Sequence, residues 1–222
     1  MASFAHVAGN YAEGPPRLVP GLAGLHQMAR LLLAEKVPAD GRVLVLGAGG
    51  GMELANFAAA QPGWRFDGVD PSPEMLEAAR MTTLEHAARI DLHQGYVEAA
   101  PAGPFDGAAC LLTLHFVPRE QRVPTLKQMR ARMRRGAALV VAHMSFAQDE
   151  NSRDLWTRRH AAFAASNGID ARSAEAGRQA ILERLSILAP EEDEALLREA
   201  GFVDVMLFYA AFNFRGWVAY AG

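Results

Sequence analysis

Apolar positions along the chain fall into short runs, separated by stretches in which they recur at helical spacing. Residues 42–46 are a leucine and valine run that stops at glycines. Residues 52–60 then follow a helical period, and residues 65–69 form a second short run, weakened by Gly68 and ended by Asp70. Ser72 is a good cap. With Pro73 at the first helical position and Glu74 and Glu77 close behind, it predicts a helix over residues 73–88. Further strands are predicted at residues 90–94, 106–113 and 137–143, with a helix at 119–134 closed by Gly136. Upstream, Pro15, Pro16 and Pro20 mark an irregular segment before a helix at residues 22–35.

Repeated strand–helix–strand units with apolar strands imply a parallel sheet covered on both faces. The alternation stops after the fifth strand. Residues 149–188 read as helical without a strand, followed by a helix at 191–200 and strands at 203–209 and 212–219. Only Ala210 and Ala211 separate the last two, which predicts an antiparallel hairpin. The expectation is an α/β fold: a seven-stranded, mostly parallel sheet, helices on both faces, a C-terminal hairpin and a helical insert after the fifth strand.

The length of 222 residues fits one domain, with residues 1–40 as an N-terminal cap segment and helix and residues 149–189 as the insert. Half the residues are hydrophobic, 21% are charged and the formal net charge is −3, which supplies no large basic face for a nucleic-acid backbone. The arginines between 130 and 135 read as a solvated helix face, and Arg158-Arg159 is only a short basic pair. The single cysteine, Cys110, excludes an intrachain disulfide and reads as a small core residue. There is no basic-then-apolar leader and no stretch of ~20 apolar residues, so a reducing cytoplasm is the expected setting, without membrane contact.

Residues 43–52 combine a strand, the turn Gly47-Ala48-Gly49-Gly50-Gly51 and a helix start. Glycines allow a tight turn and close approach of a ligand, and a helix N-terminus offers unpaired N–H groups. Such a turn accommodates a dinucleotide pyrophosphate, a compact zwitterion or no ligand at all. Asp70 ends the next strand about 20 residues later, where an acid accepts hydrogen bonds from the ribose of an adenosine. A turn or cap role also suits it, since Pro71 and Ser72 follow.

Three further features narrow the choice. Pro71-Ser72-Pro73-Glu74-Met75-Leu76, Phe105-Asp106-Gly107 at the fourth strand and the closing hairpin together resemble class I S-adenosylmethionine-dependent methyltransferases, over roughly residues 22–220. That resemblance implies a Rossmann-like fold and S-adenosyl-L-methionine as cofactor. Within the superfamily the chain is most similar to the carboxy-S-adenosylmethionine synthase group. The similarity rests on Val19-Pro20-Gly21, Leu112-Thr113-Leu114-His115-Phe116-Val117-Pro118, Asn167-Gly168, Arg178, Leu182-Glu183, Ala200-Gly201-Phe202 and Phe212-Asn213-Phe214, in matching order and spacing.

The resemblance implies that Gly47, Ala48 and Gly49 hold the methionine part of the cofactor and Asp70 its ribose. Pro71, Met75, Tyr96, Val97 and Leu111 complete the pocket, and Arg178 holds a carboxylate of cofactor or substrate. Four positions depart from the group's pattern. Leu22 replaces a tyrosine, Tyr96 an adenine-facing aspartate, Leu111 an asparagine, and Val45 the acid common in the wider superfamily's first motif. The Val97 backbone N–H can still reach the adenine, and Tyr96 or Met75 can pack on its face.

Methyl transfer asks the protein chiefly for in-line placement and, for a protonated acceptor, a base. His115 and His143, after the fourth and fifth strands, are the candidates, although a histidine in such a place more often has a hydrogen-bonded structural role. His86, His93 and His160 lie in separate elements, and no HxxxH or cysteine pair suggests a metal. The insert carries Trp156, His160, Phe163 and Arg178 and reads as a lid or dimer contact, with Phe163 packing the insert's own core. The expected partner is a small-molecule acceptor. The open alternatives are a carboxylated-cofactor synthase, a non-catalytic cofactor-binding protein and a nicotinamide enzyme.

Overall fold

The computed structural model describes residues 14–222. The first thirteen residues of the expected N-terminal cap segment therefore lie outside the described residues. A short helix, α1 (Gly14–Leu18), and a longer one, α2 (Leu22–Ala34), lead into the sheet. The alternating part then runs β1 (Arg42–Leu46), α3 (Met52–Ala60), β2 (Arg65–Asp70), α4 (Pro73–Thr82), β3 (Ile90–Gln94), β4 (Phe105–Leu111), α5 (Arg119–Ala131) and β5 (Met133–Met144). Two insert helices, α6 (Glu150–Ser166) and α7 (Ala171–Arg184), follow. The chain ends with α8 (Pro190–Glu199), β6 (Phe202–Ala211) and β7 (Phe214–Ala221).

Seven strands form one sheet in the order β3-β2-β1-β4-β5-β7-β6, parallel except for β7, which pairs antiparallel with both β5 and β6. Side chains alternate across it. On one face Val43, Val45, Ala138, Val140 and Ala142 pack against Leu25, Ala29 and Leu33 of α2 and Leu54 and Phe57 of α3. On the other, Leu44, Leu46, Leu139 and Val141 meet Leu126 and Met129 of α5 and Leu197 of α8. Burial on both faces is why the central strands read as unbroken apolar runs. All parallel strands end at one edge, so Leu46, Asp70, Gln94 and Leu111 lie along it.

Several boundaries differ from the sequence expectation. Pro15 and Pro16 do not keep the N-terminal segment irregular; they sit in the first turn of α1, where a missing N–H is harmless. The helix expected over 73–88 ends at Thr82, and a 3₁₀ segment (Leu84–Arg89) follows. Two adjacent threonines mark the break, Thr82 and Thr83 donating their hydroxyls back to the Ala78 and Ala79 carbonyls. β4 stops at Leu111 because Leu112 turns left-handed, with φ 56°. Gly136 does not close a helix: α5 ends at Ala131, and Gly136, at φ 76°, lies within β5 where the pairing with β4 shifts register. The hairpin turn is Phe212-Asn213 rather than Ala210-Ala211, since those alanines still pair with Arg215 and Phe214.

The insert is two helices, capped by Asp149 and Asp170, whose side chains accept from the Ser152 and Ser173 N–H groups at 3.0 Å. It is helical only to Arg184, and Leu188 then bridges to Ser145. Phe163 packs on Phe212 of the hairpin, ring centroids 5.8 Å apart, and not within the insert's own core. No helix among the described residues is long and apolar enough to cross a membrane.

Candidate cofactor site

The glycine turn joins β1 to α3 with Gly47, Gly49 and Gly51 at φ 77°, 48° and 82°. Side chains rarely adopt these values, which accounts for the residue type. A Cβ on Gly47 would lie 2.0 Å from Thr113 Oγ1, so this glycine also lets the loop after β4 close over the turn. The N–H groups of the turn are largely committed within the protein. Gly47 and Ala48 donate to the Val69 carbonyl at 2.8 and 3.0 Å, Gly49 donates to Asp70 Oδ2 at 2.9 Å, and Gly51 donates to the Ala48 carbonyl. A pyrophosphate needs such donors free. The turn instead offers a shaped surface and an acid, which suits a compact, partly cationic ligand.

Asp70 closes one side of the turn. Its Oδ1 accepts from Ser72 N–H at 2.9 Å, and each carboxylate oxygen keeps a further lone pair. Burial pushes its carboxyl above the ordinary range, opposed by the bonds from Ser72 and Gly49. Gly95 N–H donates to the Asp70 carbonyl, which draws the end of β3 alongside. Val97 is buried there and Tyr96 is 72% exposed. Pro71 is exposed and Met75 buried on the first turn of α4. Leu111 and Leu22 are buried apolar residues, as is Val45 in the core beneath the turn.

The two histidines have their lone pairs or surroundings engaged elsewhere. His115 is buried, and its Nδ1 accepts from Met144 N–H at 3.2 Å. Burial, with His143, Arg122 and His160 nearby, holds its pKa well below the ordinary value, so the ring is neutral with its proton on Nε2. His143 points to the opposite sheet face, stacked on Trp217 and 3.1 Å from Asp193 Oδ2. Asp193 also pairs at 2.6 Å with Arg122, which is wholly buried and donates to the Ser186 carbonyl. Arg178 sits between the insert helices, its terminal nitrogens 2.9 Å from Asp154 Oδ1 and 3.1 Å from Glu175 Oε1, while its Nε is buried without a partner.

The structure thus gathers Gly47, Ala48, Gly49, Asp70, Pro71, Met75, Tyr96, Val97 and Leu111 at one sheet edge. Arg178 is in the insert, and His143 faces the helices behind. Sequence reading passed over Glu53, which is 8% exposed on the first turn of α3. Its spacing of four from the buried Phe57 places it on the helix's apolar stripe, and that pattern was available to find it.

Comparison with known proteins agrees with this geometry. A family described as "Methyltransferase domain" matches residues 43–136. Over that stretch the chain is similar to class I S-adenosylmethionine-dependent methyltransferases. The carboxy-S-adenosyl-L-methionine synthase of Chromohalobacter salexigens is 28% identical over 211 residues, spanning 92% of this chain and 77% of that protein. The ubiquinone biosynthesis O-methyltransferase of Xanthomonas axonopodis pv. citri is 32% identical over 123 residues, 53% of this chain and 50% of its own length. Among solved structures, PigF with SAH superposes with a TM-score of 0.68 at 18% identity, over 98% of this chain and 57% of that one. This chain spans less than two-thirds of PigF. At that identity the likeness concerns the methyltransferase fold alone.

Proposed function

We propose that the protein transfers a methyl group from S-adenosyl-L-methionine to a small-molecule acceptor. The observation that carries this reading is the glycine turn whose donors are spent on Val69 and Asp70, with Asp70 held open toward a ribose. In this reading Gly47, Ala48 and Gly49 lie against the amino-acid part. Asp70 accepts from the ribose hydroxyls, Val97 N–H meets the adenine, and Met75 or Tyr96 packs on it. Bound there, the cofactor supplies an electrophilic methyl on a sulfonium. The chain's task is then to orient the acceptor and exclude water.

A cavity of about 220 Å³ supports an acceptor site on the insert side. Phe146, Ile181, Leu182 and Leu185 give it apolar walls, while Thr157 and Arg153 add polar groups. Ser186, on its rim, donates to the His115 carbonyl at 2.9 Å, which ties the cavity to the loop that covers Gly47 through Thr113. No side chain is assigned as base, because His115 presents no free lone pair. Calorimetry tests the cofactor assignment: S-adenosylmethionine and S-adenosylhomocysteine should bind and NAD should not. Absence of binding by both sulfur nucleosides would refute the reading.

Carboxylated-cofactor synthesis is the second reading, favoured by the near full-length similarity to such synthases. The mass of the nucleoside that copurifies distinguishes the two, since the carboxylated cofactor is heavier. If Arg178 holds the added carboxylate, Arg178→Ala should weaken the carboxylated ligand and spare the ordinary one.

A further inference from the structure

We propose that Glu53 is the counter-ion for the α-ammonium of the cofactor's amino-acid part. The proposal rests on the S-adenosyl reading of the glycine turn and adds to it a residue that recognises charge.

Glu53 is the second residue of α3, directly behind Gly51, where the turn becomes helix. It is more than nine-tenths buried. Among the described residues its carboxyl has no hydrogen-bond or ion-pair partner beyond its own backbone N–H. A carboxyl so placed is costly to ionise unless a cation or several donors join it. The described residues provide it no cation. The titratable groups that bear on Glu53 are Asp70 at the end of β2 and Cys110 in β4, one an acid and the other a buried thiol. Burial and Asp70 together push Glu53 up to about 8, so the protein's own groups hold it largely protonated at neutral pH.

The ligand proposed for this turn carries two positive centres. The sulfonium has no N–H to donate and must stay open to the acceptor. The ammonium has three donors and is a compact charge that one carboxylate can match. The first turn of α3 also favours an anion, which assists Glu53 once it ionises. Val45, beneath the turn, is wholly buried and apolar, so Glu53 is not duplicated there. Binding then transfers the Glu53 proton to solvent and leaves a carboxylate–ammonium pair in its place.

The test is calorimetry of the full chain at pH 7 in two buffers of different ionisation enthalpy. The ligands are S-adenosylhomocysteine and 5′-methylthioadenosine, which has the same nucleoside and thioether but no amino acid. The wild type should release close to one proton with S-adenosylhomocysteine and markedly fewer with methylthioadenosine. Glu53→Gln should lose that release and bind S-adenosylhomocysteine about tenfold or more weakly, with methylthioadenosine unchanged. Equal loss of both ligands, or undiminished S-adenosylhomocysteine binding, would overturn the proposal. The wild-type proton count decides it even if the variant does not fold: no difference between the ligands overturns it. Failure of the wild type to bind either ligand would remove the cofactor reading as well, a result distinct from binding without proton release.

Discussion

At Gly47 the turn and the loop after β4 meet, and the contact leaves no room for a side chain. Leu112 reaches the left-handed region, a conformation that stores roughly 1–3 kcal/mol in a residue other than glycine. Thr113 is thereby carried over the turn, with its hydroxyl donating to the Leu111 carbonyl at 2.9 Å. Gly47→Ala should therefore destabilise the protein by about 2 kcal/mol or more, combining φ strain with a clash. Thr113→Ala should rescue it only partly, because the threonine Cβ itself lies 2.7 Å from the added methyl. Urea unfolding of the single and double variants checks both statements. Asp70→Asn acts differently. It keeps an acceptor for one backbone N–H but removes the charge and a ribose acceptor, so S-adenosylhomocysteine affinity should fall about tenfold or more. A titration that shows unchanged affinity would count against the ribose role.

Among the elements, β5, α5 and α8 are joined by buried charge rather than by apolar packing alone. Arg122, Asp193 and His143 come from three different elements and meet behind the sheet. Burial raises the carboxyl of Asp193, but His143 and Arg122 outweigh it and leave the group below its ordinary value. Its stabilising contribution is therefore present above the unfolded value and is lost as pH falls through the folded one. Asp193→Ala would strand a wholly buried arginine, and the expected loss is about 3–5 kcal/mol, read as a lower urea midpoint at unchanged slope. The same cluster explains why a histidine at a strand end was legible as a candidate base and yet serves packing. Residue type and strand end are local, whereas the facing direction depends on which side of the pleat position 143 occupies.

For the whole molecule, the buried titratable groups set a pH window. His26 is lowered to about 4 by burial, and His115 and His160 are lowered as well. Each binds fewer protons folded than unfolded below its ordinary value of 6.5, so acid destabilises the fold. Glu53 works in the other direction. Raised from 4.5 to about 8, it holds a proton in the folded state that the unfolded chain releases, so stability falls as pH rises through that interval. The three histidines are still half protonated in the unfolded chain at pH 6.5, so their contribution keeps rising toward pH 8 and offsets part of the Glu53 decline. The Glu53 effect is therefore read as a difference: between pH 6.5 and 8, without ligand, the wild type should lose about 1–2 kcal/mol of stability relative to Glu53→Gln. Chemical denaturation of both proteins across this range checks it, and a constant difference would count against the shift.

The order and kind of nearly every element were legible in the sequence, because apolar period and capping chemistry are local. Runs such as residues 42–46 cannot be solvated, Ser72-Pro73 favours a helix start, and the glycine turn with Asp70 some 20 residues on singles out a candidate site by spacing. Boundaries were less legible where pairing overrode composition. Gly136 sits inside a strand because Met133 pairs with Phe105, and the hairpin turns at Phe212 because the alanines before it remain in the ladder. Only the tertiary structure decided which groups are satisfied. It showed that the turn's N–H groups are spent on Val69 and Asp70 and that both terminal nitrogens of Arg178 already face insert carboxylates. It also left Glu53 buried without a side-chain partner among the described residues. The physical reason is that desolvation and hydrogen bonding depend on what surrounds an atom from every direction, and a sequence specifies directly only the neighbours along the chain.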